Sequence, residues 1–284
     1  MAKNNRIGLY RLNTKLRCVC SPGTIRVISG GNKVGGVTSL GDDVFVVRAN
    51  SQQKIEVYDA KIFILQRHIT VPRLGNFCYG LAACLHHKCL YASDYDRHSV
   101  HRVELSGSNA VVKWSVARWP AGLSINADHN LIVVSREEHK LQIFTTLGTL
   151  LQNIRLQADI GYPWHAVQLP TTRQILIIDD GSLHGVCLVG VDGAVVRSYG
   201  GEWGSELTQK SETRGLAVDR EGRVLVADRY HNRLLVMDQS MSSAHEMSVG
   251  VDGGLDHPQC LWYDQSRRRL YIGECSGRVI VLTI

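Results

Sequence analysis

The chain has 284 residues, 44% of them hydrophobic and 20% charged, which is the balance of a folded globular protein and excludes a disordered or fibrous one. It holds no run of 18 apolar residues, and its first residues lack the apolar stretch of a secretory signal, so the sequence offers neither a membrane-spanning helix nor an export leader. The formal net charge of +6 is unevenly spread: residues 1–34 carry seven bases and no acid, leaving 25 bases against 26 acids in the remainder.

In chain order, residues 1–23 form a basic extension whose apolar residues, in "LYRLNTKLRCVC", suit packing on a larger body. Residues 24–31, "TIRVISGG", read as an isolated β-strand. From there the chain repeats one grammar: an apolar strand A, a short hairpin, a strand B ending in a polar residue, a polar loop, and a strand C. The clearest copy is "GLAVDREGRVLVADRYHNRLLVMD", residues 215–238. Aligned on the first glycine, the copies begin at Gly36, Gly80, Gly122, Trp164, Gly215 and Cys260, with spacings of 44, 42, 42, 51 and 45 residues. Those periods fit four-stranded propeller blades. A fourth strand is predicted between copies at 65–71, 110–116, 150–156, 195–201 and 244–250, all rich in residues that suit half-buried strands.

The sixth copy has no fourth strand because the sequence ends after its strand C. Residues 24–30 closely parallel "VVRSYGG" at 195–201 and are the expected substitute. The predicted fold is therefore an all-β, six-bladed propeller over residues 24–284, its last blade closed by the strand at 24–30. Closure of this kind removes the exposed sheet edges that template aggregation.

The copy at 215–238 resembles an NHL repeat, and the likeness extends through all six units. Similar propellers form the C-terminal domains of tripartite-motif ubiquitin ligases. The resemblance implies a non-enzymatic platform that recruits a protein partner. Ligase activity itself needs RING modules, whose pattern these 284 residues do not contain. Some NHL domains read single-stranded RNA, so an RNA-binding regulator is the alternative. A six-bladed relative of a third kind is a zinc-dependent peptide-amidating lyase with histidines lining its channel.

The residue patterns bear on each reading. Asp228 aligns with Asp94, Ser135, Asp180 and Glu274, one polar residue per copy after strand B, which suits a loop-ordering role more than single-site catalysis. Only His165 and His257 offer imidazoles where strands A begin, whereas a catalytic zinc takes three protein ligands. "CLHHKC", residues 84–89, has the look of a metal knuckle, but it falls on a hairpin where Cys89 aligns with the core residue Val224. No cofactor, metal or membrane partner is therefore expected, and the propeller is expected to be a monomer. The eight cysteines lack framework spacing and read as reduced thiols in a cytoplasmic protein.

In a propeller the B–C and D–A loops share one face. Here that face gathers Arg73, Tyr95, Arg97, His98, Trp119, Arg136, Tyr162, Trp164, Arg214, Arg229, Tyr230, His231 and Arg233. All but Arg73 form the candidate partner-binding set. The acids on the same face offset the arginines, and phosphate-driven binding needs a net basic footprint. Tyr, Trp and Arg on a neutral face favour a protein or peptide partner.

Overall fold

The computed structural model describes residues 23–180, 185–200 and 212–284, and every regular element among them is a β-strand. β1 (Gly23–Ile28) precedes a first blade of β2 (Val34–Leu40), β3 (Asp43–Arg48), β4 (Lys54–Asp59) and β5 (Leu65–Thr70). The second blade is β6 (Leu81–Cys84), β7 (Cys89–Asp94), β8 (Ser99–Glu104) and β9 (Val111–Ser115). The third is β10 (Pro120–Ile125), β11 (Leu131–Ser135), β12 (Lys140–Phe144) and β13 (Leu150–Arg155). β14 (Pro163–Gln168), β15 (Ile175–Asp179), β16 (Gly185–Val189) and β17 (Val195–Tyr199) form the fourth. The fifth comprises β18 (Thr213–Val218), β19 (Val224–Asp228), β20 (Arg233–Met237) and β21 (Ala244–Met247). β22 (Pro258–Asp264), β23 (Arg269–Glu274) and β24 (Val279–Thr283) are the sixth.

Each blade is an antiparallel meander, and the sixth is completed by β1, which pairs with β24 from Gly23 opposite Thr283 to Ile28 opposite Val279. The predicted closure is therefore present, with the strand ending at Ile28 rather than residue 30. The basic arm lies almost wholly in residues 1–22, outside the described residues. The innermost strands form a closed ring, β2 against β6, β10, β14, β18, β22 and back to β2. The core lies between blades: Leu216, Val226 and Leu235 of the fifth pack on Leu176, Ile178 and Leu188 of the fourth, and other pairs repeat this.

Burial follows position in the blade. β11 and β15 are buried at every residue, whereas β5 and β13 expose all but one. The inner glycine of four copies, at Gly36, Gly80, Gly122 and Gly215, reflects crowding of the ring. A Cβ on Gly80 would lie 2.5 Å from the Ala121 carbonyl oxygen, and one on Gly215 would lie 2.9 Å from the Leu261 nitrogen. No side chain fits at either place without moving backbone.

The fourth blade breaks this pattern, and register corrects its alignment. The residues paired opposite Val47, Ala227 and Gly273 are Gly36, Gly215 and Cys260, and in blade four His165 takes that place opposite Ile178. Trp164 is therefore not the counterpart of the strand A glycine but the residue before it. The end of strand B shifts likewise: Asp179, not Asp180, faces Pro163 as Asp228 faces Thr213. The missing glycine removed the landmark on which the sequence alignment depended.

Candidate recognition face

Strand A carries the same irregularity in five blades. Register shifts fall between Val34 and Gly36, Pro120 and Leu123, Pro163 and His165, Thr213 and Gly215, and Pro258 and Cys260. A β-bulge of this sort re-aims the extra residue away from the pleat. The residues at the bulges include Trp164, Arg214 and Gln259, which with Tyr79 of the second blade line one end of a central channel of about 800 Å³ that reaches Leu85, Pro170 and Glu221 of the A–B hairpins. One backbone device therefore directs three of these side chains to the same end of the channel, and Tyr79 reaches it from just before β6, whose pairing carries no such shift.

Tyr79 is the centre of an aromatic cluster there. Its ring centroid lies 6.1 Å from Phe77, 5.2 Å from Tyr95 edge-on, and 5.2 Å from Trp164. Tyr95 stacks on Trp119 at 6.0 Å. Guanidinium groups cap the rings: Arg214 lies 3.8 Å above Trp164, and Arg136 lies 5.1 Å from both Trp164 and Tyr162. Lys33 stands 5.5 Å over Tyr79. Such contacts hold a cation and a ring in fixed relation at low entropic cost. Burial lowers the pKa of Lys33 and of Arg214 and raises that of Tyr79, because each charged form loses water at the crowded mouth.

The arginines are paired with carboxylates. Arg214 lies 3.3 Å from Asp180 and 3.5 Å from Glu212, and Arg136 lies 3.6 Å from Asp180. Arg229 bonds Glu212, Arg97 lies 3.6 Å from Asp94, and Arg233 donates to Asp228 at 2.9 Å. The face is thus a mosaic of ion pairs around exposed rings, with Trp119 at 41% and Tyr162 at 52% exposure.

Of the twelve sequence-selected residues, Tyr95, Trp119, Arg136, Tyr162, Trp164 and Arg214 meet around Tyr79, and Arg229 joins them through Glu212. His98 is a positioning residue, since its Nδ1 accepts the Trp119 backbone N–H at 3.2 Å. Tyr230, His231 and Arg233 stand on the B–C loop of blade five. His231 and Arg233 there are tied to the buried Asp228, while Tyr230 is 65% exposed. Tyr79, Phe77, Lys33 and Gln259 are missing from the sequence-selected set. Tyr79 was within reach, because it precedes the strand A glycine as Arg214 does.

The strand B polar residue orders loops. Asp94 accepts backbone N–H groups of Gly75 and Arg97, Asp179 that of Tyr162 at 2.7 Å, and Glu274 that of Asp256 at 2.8 Å. Burial opposes ionisation of Asp94, but these bonds and one from His101 hold its carboxyl below the usual range. Blade one reverses the polarity: Arg48 stands in this place and donates to the carbonyls of Asn32 and Gly277.

His165 spans three blades. Its Nε2 donates to the Leu123 carbonyl and its Nδ1 accepts the Leu216 N–H, both at 3.3 Å. Burial lowers its pKa to about 4, so the ring is neutral and both nitrogens are occupied. His257 pairs with Asp256 on a loop. Among the described residues no three His, Cys, Asp or Glu side chains are placed to hold a metal ion.

Comparison with known proteins bears on the fold. An NHL repeat model matches residues 214–237, the fifth blade. The protein brain tumor of Drosophila melanogaster is 24% identical over 131 residues, covering 45% of this chain and 12% of that protein, so the chain spans a small part of its length. Among solved structures, virginiamycin B lyase from Staphylococcus aureus with quinupristin superposes with a TM-score of 0.67 at 9% identity, covering 92% of this chain and 100% of that one. A protein of unknown function from Bacteroides thetaiotaomicron gives 0.70 at 13% identity, over 91% and 75% of the two chains. At these identities the structural likeness speaks for the fold alone.

Proposed function

We propose that this NHL-repeat β-propeller is a non-enzymatic recognition module that recruits a protein or peptide partner through its B–C/D–A face. The observation that carries the reading is the ion-paired mosaic. Each of Arg97, Arg136, Arg214, Arg229 and Arg233 has a carboxylate within 4 Å, Asp180 and Glu212 each serving two of them, so most of the arginine charge at the site is matched locally. Nucleic acid affinity rests on unmatched positive charge, through phosphate neutralisation and counterion release. Rigid exposed rings beside paired arginines are instead the material of protein hot spots. In a tripartite-motif ligase, which this repeat resembles, such a face would hold the substrate.

The rival reading, single-stranded RNA, draws on the stacked Tyr95 and Trp119, because bases stack on such rings whatever their sequence. Anisotropy titrations of mixed-sequence single-stranded RNA across a salt series separate the two. The protein-binding reading predicts affinity no tighter than the non-specific range, roughly 10⁻⁴–10⁻⁶ M at physiological salt. Tighter binding with a steep salt slope, lost on replacing Arg97 and Arg136 with alanine, would overturn it.

A further inference from the structure

The hairpin between β6 and β7 turns through residues 85–88, and its last paired rung sets Cys84 opposite Cys89. Facing residues of an antiparallel pair have Cα atoms about 4.5–5.5 Å apart, inside the roughly 4.4–6.8 Å that a disulfide bridges. Both thiols are free, and they are 2% and 0% exposed. They lie in the core between blades two and three with Tyr91, whose hydroxyl meets Thr146 Oγ1 at 2.7 Å. Arg102 faces Tyr91 on the neighbouring strand, is 7% exposed, and has no hydrogen-bond partner for its Nε among the described residues.

This setting differs from that of the other buried cysteines. Burial pushes Cys78, Cys187 and Cys260 up to about 12, which makes them inert. Cys89 moves the other way, downward, because the neighbouring Cys84 thiol, Tyr91 and the Arg102 charge favour its thiolate against burial. Cys84 is raised in turn, because the adjacent Cys89 and burial both disfavour a second thiolate. A stabilised thiolate beside a protonated thiol is the arrangement from which a disulfide forms.

We propose that Cys84 and Cys89 are a peroxide-sensitive dithiol, in which Cys89 is oxidised first and Cys84 resolves it into a cross-strand disulfide. A hydroperoxide is the oxidant small enough to reach sulfurs buried this deeply. The Cys89 thiolate attacks one oxygen of hydrogen peroxide, the O–O bond breaks, and the departing hydroxide takes up a proton as water. Cys89 is then a sulfenic acid. The Cys84 sulfur attacks the Cys89 sulfur, the S–O bond breaks, and the Cys84 proton leaves with the hydroxyl as a second water. Two electrons have passed from the sulfur pair to peroxide. The new bond staples a hairpin whose His86 ring stacks on His129 of the next blade at 4.2 Å, on the side opposite the recognition face.

Lys88 lies between the two cysteines, so trypsin releases them on separate peptides unless they are bonded. The native protein, treated with hydrogen peroxide, alkylated and digested without reductant, is expected to yield those two peptides joined and two hydrogen atoms lighter than their sum. In Cys84→Ala, Cys89 is expected to be captured as a sulfenic acid by a cyclic dione. The wild-type digest stands even where the variant folds poorly. Recovery of Cys84 and Cys89 as alkylated thiols while Cys275 oxidises would overturn the proposal. So would a joined pair that appears only in denaturant.

Discussion

His165 shows how one residue can depart from a repeat and be held there by the departure. It occupies the glycine place of the fourth blade, and its imidazole takes up the space against Gly122, bonding strands on either side. Its folded pKa of about 4 lies below the ordinary 6.5, so between those values the unfolded chain binds more protons than the native one. Stability from this group is complete above pH 6.5 and is lost as pH falls toward 4. Urea unfolding at a series of pH values should show a loss on the order of 2–3 kcal/mol from this source. His165→Gln should flatten that part of the profile, and an unchanged pH slope in the variant would count against the assignment. Asp228 makes a second test. It is fully buried and accepts bonds from His231 and Arg233, so Asp228→Ala should cost about 3 kcal/mol in the same assay. A cost under about 0.5 kcal/mol, the level of an ordinary surface change, would contradict its loop-ordering role. That role was legible from repetition alone. The bond partners were not, because they come from loops whose course a single sequence does not give.

At the scale of elements, the inner strands and the closing strand carry the fold. The ring of strands A leaves no room at Gly80, so Gly80→Val should destabilise by about 2–3 kcal/mol, whereas Gly31→Ala, with nothing within 4 Å of its added Cβ, should be close to neutral. Thermal melts of the two variants make the comparison, and equal melting points would argue against close packing of the ring. Removing residues 1–30 takes away β1 and bares the edge of β24. Light scattering after size exclusion should then find aggregate, and a monodisperse monomer would show that closure is dispensable. Strand order, blade number and closure could all be read from the repeated grammar. The bulges could not, since an extra residue in a strand leaves no mark on composition. That is why the turn of Gln259 toward the channel was not legible and why Trp164 was set one position out of register.

Over the whole molecule, the arrangement of charge is what the proposed protein-binding reading rests on. The sequence shows a body of nearly equal acids and bases, and the fold draws opposite charges together on one face, with Asp180 between Arg136 and Arg214 and Glu212 between Arg214 and Arg229. Among the rings that stand outward are Trp119, Tyr162 and Tyr230. Trp119→Ala with Tyr162→Ala removes exposed rings without touching the ion pairs, and so leaves the ring of blades intact. The most direct test is affinity capture with the wild-type chain and this double variant from extract treated with nuclease, read by quantitative mass spectrometry. Protein recognition through these rings predicts captured proteins that persist through nuclease treatment and fall at least about tenfold with the double variant, as loss of hot-spot rings should produce. Partners that vanish with nuclease, or that bind both chains equally, would contradict it.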